Sequence, residues 1–297
     1  MANLKEVRNR IASVQSTQQI TKAMKMVSAA KLKRATNAII ALRPYATKLK
    51  EILGNLSASL EGSSSPFIQE REPNKVLIVT VSSNRGLAGA FNMNVIKAAN
   101  NLIAEKYSEQ LKKGNVSIIS IGKKTQDFYE KRKYNVIGNN NEIFSALTFE
   151  NVTKITDAIM AGFVKGEFDK VEVVYNRFRN AAVQFITTEQ LLPLPKAEPV
   201  AETKADKRTT NIDYILEPSQ EEIVEQLIPK SIKIQLYKAV LDSHASEHGA
   251  RMTSMDKATE NAGELLKALK LSYNQARQAA ITTELTEIVS GAAALEG

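Results

Sequence analysis

Hydrophobic residues at the start of the chain recur every three or four positions, beginning with Leu4, Val7, Ile11 and Val14. This spacing is typical of a helix that meets another helix along one stripe. We expect one long helix over residues 3–57, with a bend near Pro44, where a backbone donor is missing. The stripe continues in Met24, Val27, Leu49, Ile52, Leu53 and Leu56, and Gly62–Pro66 ends it.

The far end of the chain has a similar pattern. Residues 230–290 contain no proline and two glycines, and a stripe with a 3.5-residue spacing starts at Ile234. A lone helix of this length is marginal in water, so it needs a partner helix. We expect the two ends to pair antiparallel. The predicted stripe is Ile234, Tyr237, Leu241, His244, His248, Arg251, Met255, Ala258, Ala262, Leu265, Leu269, Ser272, Ala276 and Ala279.

The middle of the chain alternates between short apolar runs and amphipathic segments, which favours a three-layer α/β domain. The predicted strands are 75–83, 116–121, 170–176 and 182–188, and the predicted helices are 92–112, 123–134 and 149–165.

The predicted fold class is therefore α/β: a long antiparallel coiled coil of N- and C-terminal helices with an inserted Rossmann-like α/β domain. The expected parts are an N-terminal helix (1–60), the inserted domain (74–195), a flexible link (196–211) and a C-terminal helix (212–297).

Composition narrows the functional classes. The chain has 297 residues with no cysteine, which excludes disulfides, cysteine-ligated metals and thiol catalysis. It shows neither a signal peptide nor an apolar run long enough to span a bilayer, so we expect a soluble protein. The net charge of +8 is uneven, because residues 1–60 carry +9 and residues 196–297 carry −4. Such a surplus favours acidic partners.

Residues 83–92 connect a predicted strand to a predicted helix, the position at which nucleotide folds bind phosphate. The segment has only Gly86 and Gly89, so it matches neither a P-loop nor the dinucleotide fingerprint. A tight turn is the simpler interpretation, although Arg85 could bind an anion. A nucleotide-using enzyme therefore stays open as an alternative.

His244, Glu247 and His248 match the H-x-x-E-H pattern of some zinc hydrolases. These are the only histidines, and the spacing nominates no third ligand. We expect polar residues that position helix packing. The basic residues Lys22, Lys25, Lys31, Lys33 and Arg34 could bind phosphate backbones but lack interleaved aromatic residues, so a nucleic-acid adaptor is a third, weaker alternative.

The last helix ends in a nearly neutral apolar segment that includes Ile288 and Val289. A chain terminus is ordinarily polar and frayed, so an apolar one suggests that something encloses it.

Four blocks together resemble the gamma subunits of F-type ATP synthases, bacterial type. The C-terminal block, 281–292, reads ITTELTEIVSGA, and the other blocks are 20–32, 245–252 and 82–92. In the last of them Asn84, Ala88 and Ala90 stand where Asp, Cys and Gly are common. The resemblance covers essentially the whole chain.

The resemblance implies a non-catalytic rotor shaft that binds no cofactor, metal or nucleic acid. The paired helices would turn inside the alpha3-beta3 hexamer, and the lower part would stand on the membrane c-ring beside the epsilon subunit. Proton-driven rotation would drive the beta subunits through their states in turn. The protein would lie at the cytoplasmic face of a bacterial membrane, as a peripheral subunit.

The resemblance also implies partner contacts. Loops of the beta subunits would contact Met24, Lys25, Arg251, Arg277 and Gln278. An apolar collar formed by the hexamer would enclose Ile288 and Val289. The c-ring and epsilon would meet the foot segment, which contains Asp213, Tyr214 and Glu217.

Overall fold

A computed structural model describes residues 4–60, 65–194 and 220–296. It contains six helices and five strands over these ranges. In chain order they are α1 (Leu4–Leu60), β1 (Val76–Val81), α2 (Phe91–Lys106), α3 (Ser108–Lys112), β2 (Val116–Ile121), α4 (Lys123–Lys131), β3 (Asn135–Val136), α5 (Phe149–Val164), β4 (Lys170–Phe178), β5 (Gln184–Leu192) and α6 (Gln220–Glu296), with a 3₁₀ turn at Asn141–Phe144.

The strands form one sheet in the order β3-β2-β1-β4-β5. The first four strands are parallel, and β5 returns antiparallel beside β4 as a hairpin. Every residue of β1 is buried, as expected for a central strand covered on both faces. The chain moves outward from β1 to β3 on one side and then crosses to β4 on the other. The strand order therefore reverses between β1 and β4.

Helices cover both faces of the sheet. On one face, Val76 and Ile78 of β1 pack with residues of α2 and with Tyr129 of α4. On the other face, Leu77 and Val79 pack with α5 and with the first part of α6. Alternate residues of one strand thus feed two separate cores, which confirms the three-layer α/β domain.

The chain divides into two compact units, residues 30–250 and residues 1–29 with 251–297. Within the first unit, Ala35 and Ile39 of α1 pack with Leu241 and Ala245 of α6. Tyr45, later in α1, meets Lys230, earlier in α6, so the two helices run antiparallel here. In this unit α6 packs on both the sheet and α1, and none of residues 231–250 is exposed.

The second unit is an antiparallel pair of helical segments. Its cross-helix contacts include Arg8 with Tyr273, Thr21 with Thr259, and Lys25 with Asp256. The predicted fold class is confirmed, because long helices from both ends pair antiparallel and an α/β domain lies between them in sequence.

The predicted stripes are offset by one residue at several positions of this unit. Val27 is 57% exposed, and Ser28 is buried in its place. Leu265, Ser272 and Ala279 are likewise exposed, whereas the residue after each is half-buried. A 3.5-residue repeat means that successive stripe residues are three and four positions apart in turn. The sequence alone does not say which step is three and which is four, so a predicted position can miss the buried one by a single residue.

Several predicted boundaries were inexact. The predicted helix 92–112 is interrupted at Tyr107, whose hydroxyl donates to buried Glu172, 2.5 Å away. The last strand covers 184–192 rather than 182–188, and β3 was not predicted. Pro44 lies inside α1, which continues to Leu60. The link 196–211 and residues 212–219 of the predicted C-terminal part lie outside the described residues.

Candidate functional site

The carboxyl ends of β1 and β4 border the place where an open α/β sheet ordinarily binds its ligand. Here α6 occupies that place. The Ser243 hydroxyl donates to the carbonyl oxygen of Val81 at 3.4 Å, and the Ser246 hydroxyl donates to the carbonyl oxygen of Asn176 at 3.0 Å. Both serines are buried. The helix thus fills the crevice that a nucleotide-using enzyme would need.

The turn between β1 and α2 uses its polar groups internally. The side chain of Asn92 accepts from the backbone amide of Ser83 at 2.9 Å, and the Ser83 hydroxyl donates to the carbonyl of Arg85 at 2.6 Å. Asn84 donates to the Asn141 carbonyl and accepts from the Lys123 amide. An aspartate at position 84 could not donate, so asparagine suits this bridge between two loops. These contacts favour the tight-turn interpretation over the phosphate site.

His244 of the histidine pair contacts the α/β domain, a neighbour that its place in the predicted helix–helix stripe did not indicate. His244 stacks on Phe144 with ring centres 5.6 Å apart, and the His248 ring meets His244 edge-on at 4.5 Å. Glu247 lies 3.9 Å from His244. Within the described part of the chain, no group of three potential metal ligands comes together. The ring contacts of His244 and His248 are those of packed side chains.

A hydroxyl pair lies in the stripe of the unit formed by residues 1–29 and 251–297. Thr21 and Thr259 place their Oγ1 atoms 2.8 Å apart, and each also contacts a carbonyl of its own helix. Lys25 forms an ion pair with Asp256, with its side chain still 40% exposed. The helices thus meet through small polar groups as well as apolar ones.

In the last turns of α6, apolar side chains are left uncovered by the described part of the chain. Ile281, Leu285, Ile288 and Val289 are all exposed, and residues 281–294 contain no buried position. Their i, i+4, i+7, i+8 spacing places these four residues on one face of the helix, and an uncovered apolar stripe is costly in water. This segment therefore has the character of a surface that another polypeptide covers.

The predicted contact residues occupy different environments. Met24 is half-buried, Arg277 and Gln278 are exposed, and Arg251 is only 8% exposed. Asp213, Tyr214 and Glu217 lie outside the described residues. Arg251 also has interactions within the chain, and its burial agrees with its place in the predicted helix–helix stripe.

Sequence reasoning missed one further feature, a cleft of about 630 Å³ bordered by α1, the β4–β5 hairpin and α6. Four basic side chains line it together with one buried carboxylate. They are Arg43, Arg177, Arg179, Lys238 and Asp242. These residues are far apart in sequence, and no motif connects them.

The fold and these surfaces define a class of protein. The chain pairs its two terminal helices, carries a doubly wound domain whose ligand crevice is closed by its own helix, and exposes an apolar helix end. Within the described ranges, no helix has the length and apolar character needed to cross a bilayer. The chain is thus a coiled-coil protein with an inserted α/β domain, and its features favour partner binding over catalysis.

Comparison with known proteins identifies the family. The family model described as ATP synthase matches residues 3–295. The ATP synthase gamma chain of Flavobacterium psychrophilum is 57% identical over the whole of both chains, and that of Cytophaga hutchinsonii is 56% identical over 99% of each. The chain belongs to the ATP synthase gamma chain family, which confirms the resemblance.

Solved structures support the fold. The chain is similar to one from the rotor of the Euglena gracilis mitochondrial ATP synthase, with a TM-score of 0.64 and 19% identity over 94% of this chain and 98% of that one. A second match comes from the central stalk and c-ring structure of the Tetrahymena thermophila enzyme, with a TM-score of 0.56 and 22% identity over 80% of this chain and 99% of that one.

Proposed function

We propose that this chain is the central shaft of an ATP synthase, coupling proton-driven rotation of a membrane c-ring to the cycle of the catalytic beta subunits. The observation that carries the proposal is the antiparallel pairing of helices from the two chain ends, one of which continues into exposed apolar turns. Family membership supports it.

A shaft must transmit torque without yielding, and the buried contacts of unit 30–250 suit that task. Ile232, Leu236 and Val240 of α6 belong to the same apolar core as strands β1 and β4. Because protein interiors are packed at crystal-like density, a force applied to the domain moves the helix with it. Ser243 and Ser246 add directional bonds that resist sliding.

The apolar end of α6 suits a bearing. Ile288 and Val289 are 67% and 66% exposed in this chain, and we infer that a collar formed by the alpha3-beta3 hexamer encloses them. Apolar contact is non-directional, so rotation breaks no specific hydrogen bonds. Arg277 and Gln278, also exposed, would meet beta-subunit loops just before this end.

Charge on α1 suits the acidic loops expected of the beta subunits. Lys25 is positioned by Asp256 yet keeps part of its surface exposed, and Met24 lies beside it in sequence. Attraction between exposed charges acts smoothly over about 8–10 Å at physiological salt, which permits movement past a series of loops. Arg251, being buried, would act there mainly by holding the helices in place.

The remaining assignments follow from the same role. The foot segment with Asp213, Tyr214 and Glu217 would contact the c-ring and the epsilon subunit. The chain itself would be non-catalytic and would bind no cofactor, the catalytic sites being those of the beta subunits. It would be peripheral, at the cytoplasmic face of a bacterial membrane.

A rotation assay tests the proposal. The chain, biotinylated at an added cysteine on the exposed surface of α2, is assembled with alpha and beta subunits that are fixed to glass. A bead bound to the chain should turn in one direction and in three steps per revolution when ATP is added. An assembled complex that hydrolyses ATP while the bead only fluctuates would contradict the shaft role.

Assays of the purified chain alone distinguish the shaft from the two alternatives, a nucleotide-using enzyme and a nucleic-acid adaptor. It should hydrolyse no ATP and should bind duplex DNA no more tightly than other proteins of equal charge. ATP turnover that survives stringent purification would favour an enzyme. Sequence-dependent DNA binding that is retained at high salt would favour the adaptor.

A further inference from the structure

The cleft of unit 30–250 gathers positive charge from three elements. Arg43 comes from α1, Arg177 and Arg179 from the end of β4 and its hairpin, and Lys238 from α6. Within the described residues none of these four forms an ion pair. Four positive charges around the single carboxylate of Asp242 leave the cleft with a surplus of positive charge, which a bound anion would offset.

The base of the cleft carries a single acid. Asp242 is 3% exposed, and its Oδ1 atom has no hydrogen-bond partner among the described residues. Burial raises its pKa to about 6, against the opposing field of Lys238, Arg43 and Arg177, while Glu189 adds a smaller upward contribution. A buried acceptor without a donor is an unusual cost, and a ligand hydroxyl or amino group would remove it.

The remaining wall is apolar. Ile39, Leu42 and Leu241 border the cleft on the helical side, and Phe178 and Phe185 border it on the hairpin side. The guanidinium of Arg179 lies 5.7 Å from the ring centre of Phe185, so this cation is held against the wall. The volume of about 630 Å³ lies in the range of small-molecule pockets.

The geometry points to a binding site for a phosphate ester that carries a hydroxyl or amino group on a flat apolar body, the chemical class of nucleoside di- and triphosphates. Guanidinium groups bind phosphate oxygens through paired hydrogen bonds, so Arg43, Arg177 and Arg179 would hold the phosphates. Asp242 would accept from the ligand hydroxyl or amino group, and Phe178 and Phe185 would contact its flat face. This site lies outside the β1–β4 crevice and needs no catalytic step.

Calorimetry with the purified full-length chain tests the site, using ATP, inorganic tripolyphosphate and adenosine as probes. We expect saturable one-to-one binding of ATP, weaker binding of tripolyphosphate, and no detectable binding of adenosine. R43Q/R177Q should weaken ATP binding at least tenfold. The control K97Q/K112Q removes two exposed charges outside the cleft and should change it less than twofold. If both double variants weakened ATP binding equally, the proposed site would be overturned in favour of general charge attraction.

The variant Asp242→Asn tests the proposed contact of Asp242 with the ligand hydroxyl or amino group separately from the phosphate contacts of the arginines. It should weaken ATP binding severalfold while leaving tripolyphosphate binding unchanged or stronger, because a negative charge is removed next to the phosphates. Equal weakening of both ligands would overturn the assigned role of Asp242. Circular dichroism of each variant establishes that the fold is retained, and a variant that unfolds is replaced by Arg177→Lys, which keeps the charge but loses the paired hydrogen bonds.

Two further probes identify the source of the phosphate. Vesicles containing phosphatidylglycerol that bind in an Arg177-dependent manner, and that compete with ATP, would place a lipid headgroup in the same site. A polyglutamate peptide that binds one-to-one, when neither ATP nor the vesicles bind, would overturn the proposal in favour of an acidic protein segment.

Discussion

The hydroxyl of Ser246 donates to the backbone carbonyl of Asn176 at 3.0 Å and joins α6 to the end of β4. The serine is fully buried, so no side chain much larger than its own fits between helix and strand. Its short length sets how closely the helix approaches the sheet.

Replacing Ser246 by Leu should therefore separate α6 from the strand end. Overpacking of a dense core costs about 1–3 kcal/mol, whereas Ser246→Ala loses one hydrogen bond, about 1 kcal/mol. Urea unfolding followed by tyrosine fluorescence measures both, with Ser272→Leu on the exposed surface of α6 as the control. A Leu variant as stable as the control would show that the interface has spare room.

Gly249 faces the hairpin so closely that an added methyl group would be crowded. A Cβ atom there would lie 3.1 Å from the carbonyl oxygen of Ala181 and 3.2 Å from its Cα. We expect Gly249→Ala to lower the urea midpoint even though alanine is the better helix former by about 1 kcal/mol. Gly291→Ala, where no atom lies within 4 Å, is the matched control and should not lower it. Stabilisation by Gly249→Ala would mean that the hairpin moves away easily.

The hydroxyl groups of Thr21 and Thr259 have fewer protons than the number of hydrogen-bonding contacts they make. Two hydroxyl protons serve the bond between the threonines and the bonds to the carbonyls of Gln18 and Met255, so one contact is left without a hydrogen. Changing both residues to valine should stabilise the helix pair by about 1 kcal/mol by exchanging this pair for apolar contact. Amide hydrogen exchange around these positions measures the gain. Thr17→Val, at an exposed site, should have little effect. A double variant that exchanges faster than Thr17→Val would show that the hydroxyl pair is net stabilising.

The pKa of Asp242, raised to about 6 mainly by burial, predicts a pH dependence of stability. The folded state binds the proton more tightly than the unfolded chain, so this residue's contribution to stability falls as the pH rises from about 4 to about 6 and is constant above. Asp242→Asn should then be more stable than the wild type at pH 7 by up to about 3 kcal/mol, at roughly 1.4 kcal/mol per pKa unit.

The Asp242→Asn difference should disappear near pH 4, and urea midpoints at both values measure it. Glu264→Gln, which removes an exposed carboxylate, serves as the control for the change in net charge. A variant that is no more stable than the wild type at pH 7 would show that the neighbouring cations offset the cost of burial.

The exposed end of α6 gives a prediction about the assembled machine. Ile288→Asp or Val289→Asp should reduce assembly or coupled ATP synthesis severalfold, because each places a charge where we propose an apolar collar. Ile288→Leu keeps the apolar surface and should behave as the wild type. ATP synthesis by reconstituted vesicles is the measurement. Unchanged synthesis in both aspartate variants would mean that no apolar collar encloses this end.

Sequence patterns predicted the main helices and strands of this protein and its family. A 3-4 spacing of apolar residues identified the terminal helices, and apolar runs such as 76–81 identified buried strands, because helix and strand periods are local properties of the chain. The four family blocks identified the family, and the apolar end of α6 was evident from the order of its last residues.

Only the tertiary structure decided what depends on residues distant in sequence. Tyr107 lies at the break between α2 and α3 and bonds to Glu172, and α6 fills the crevice of the sheet through Ser243 and Ser246. The cations of the cleft come from three elements, and Arg43 and Lys238 are nearly two hundred residues apart. Such placements follow from how whole elements pack, and packing energy is shared among contacts that no local pattern records.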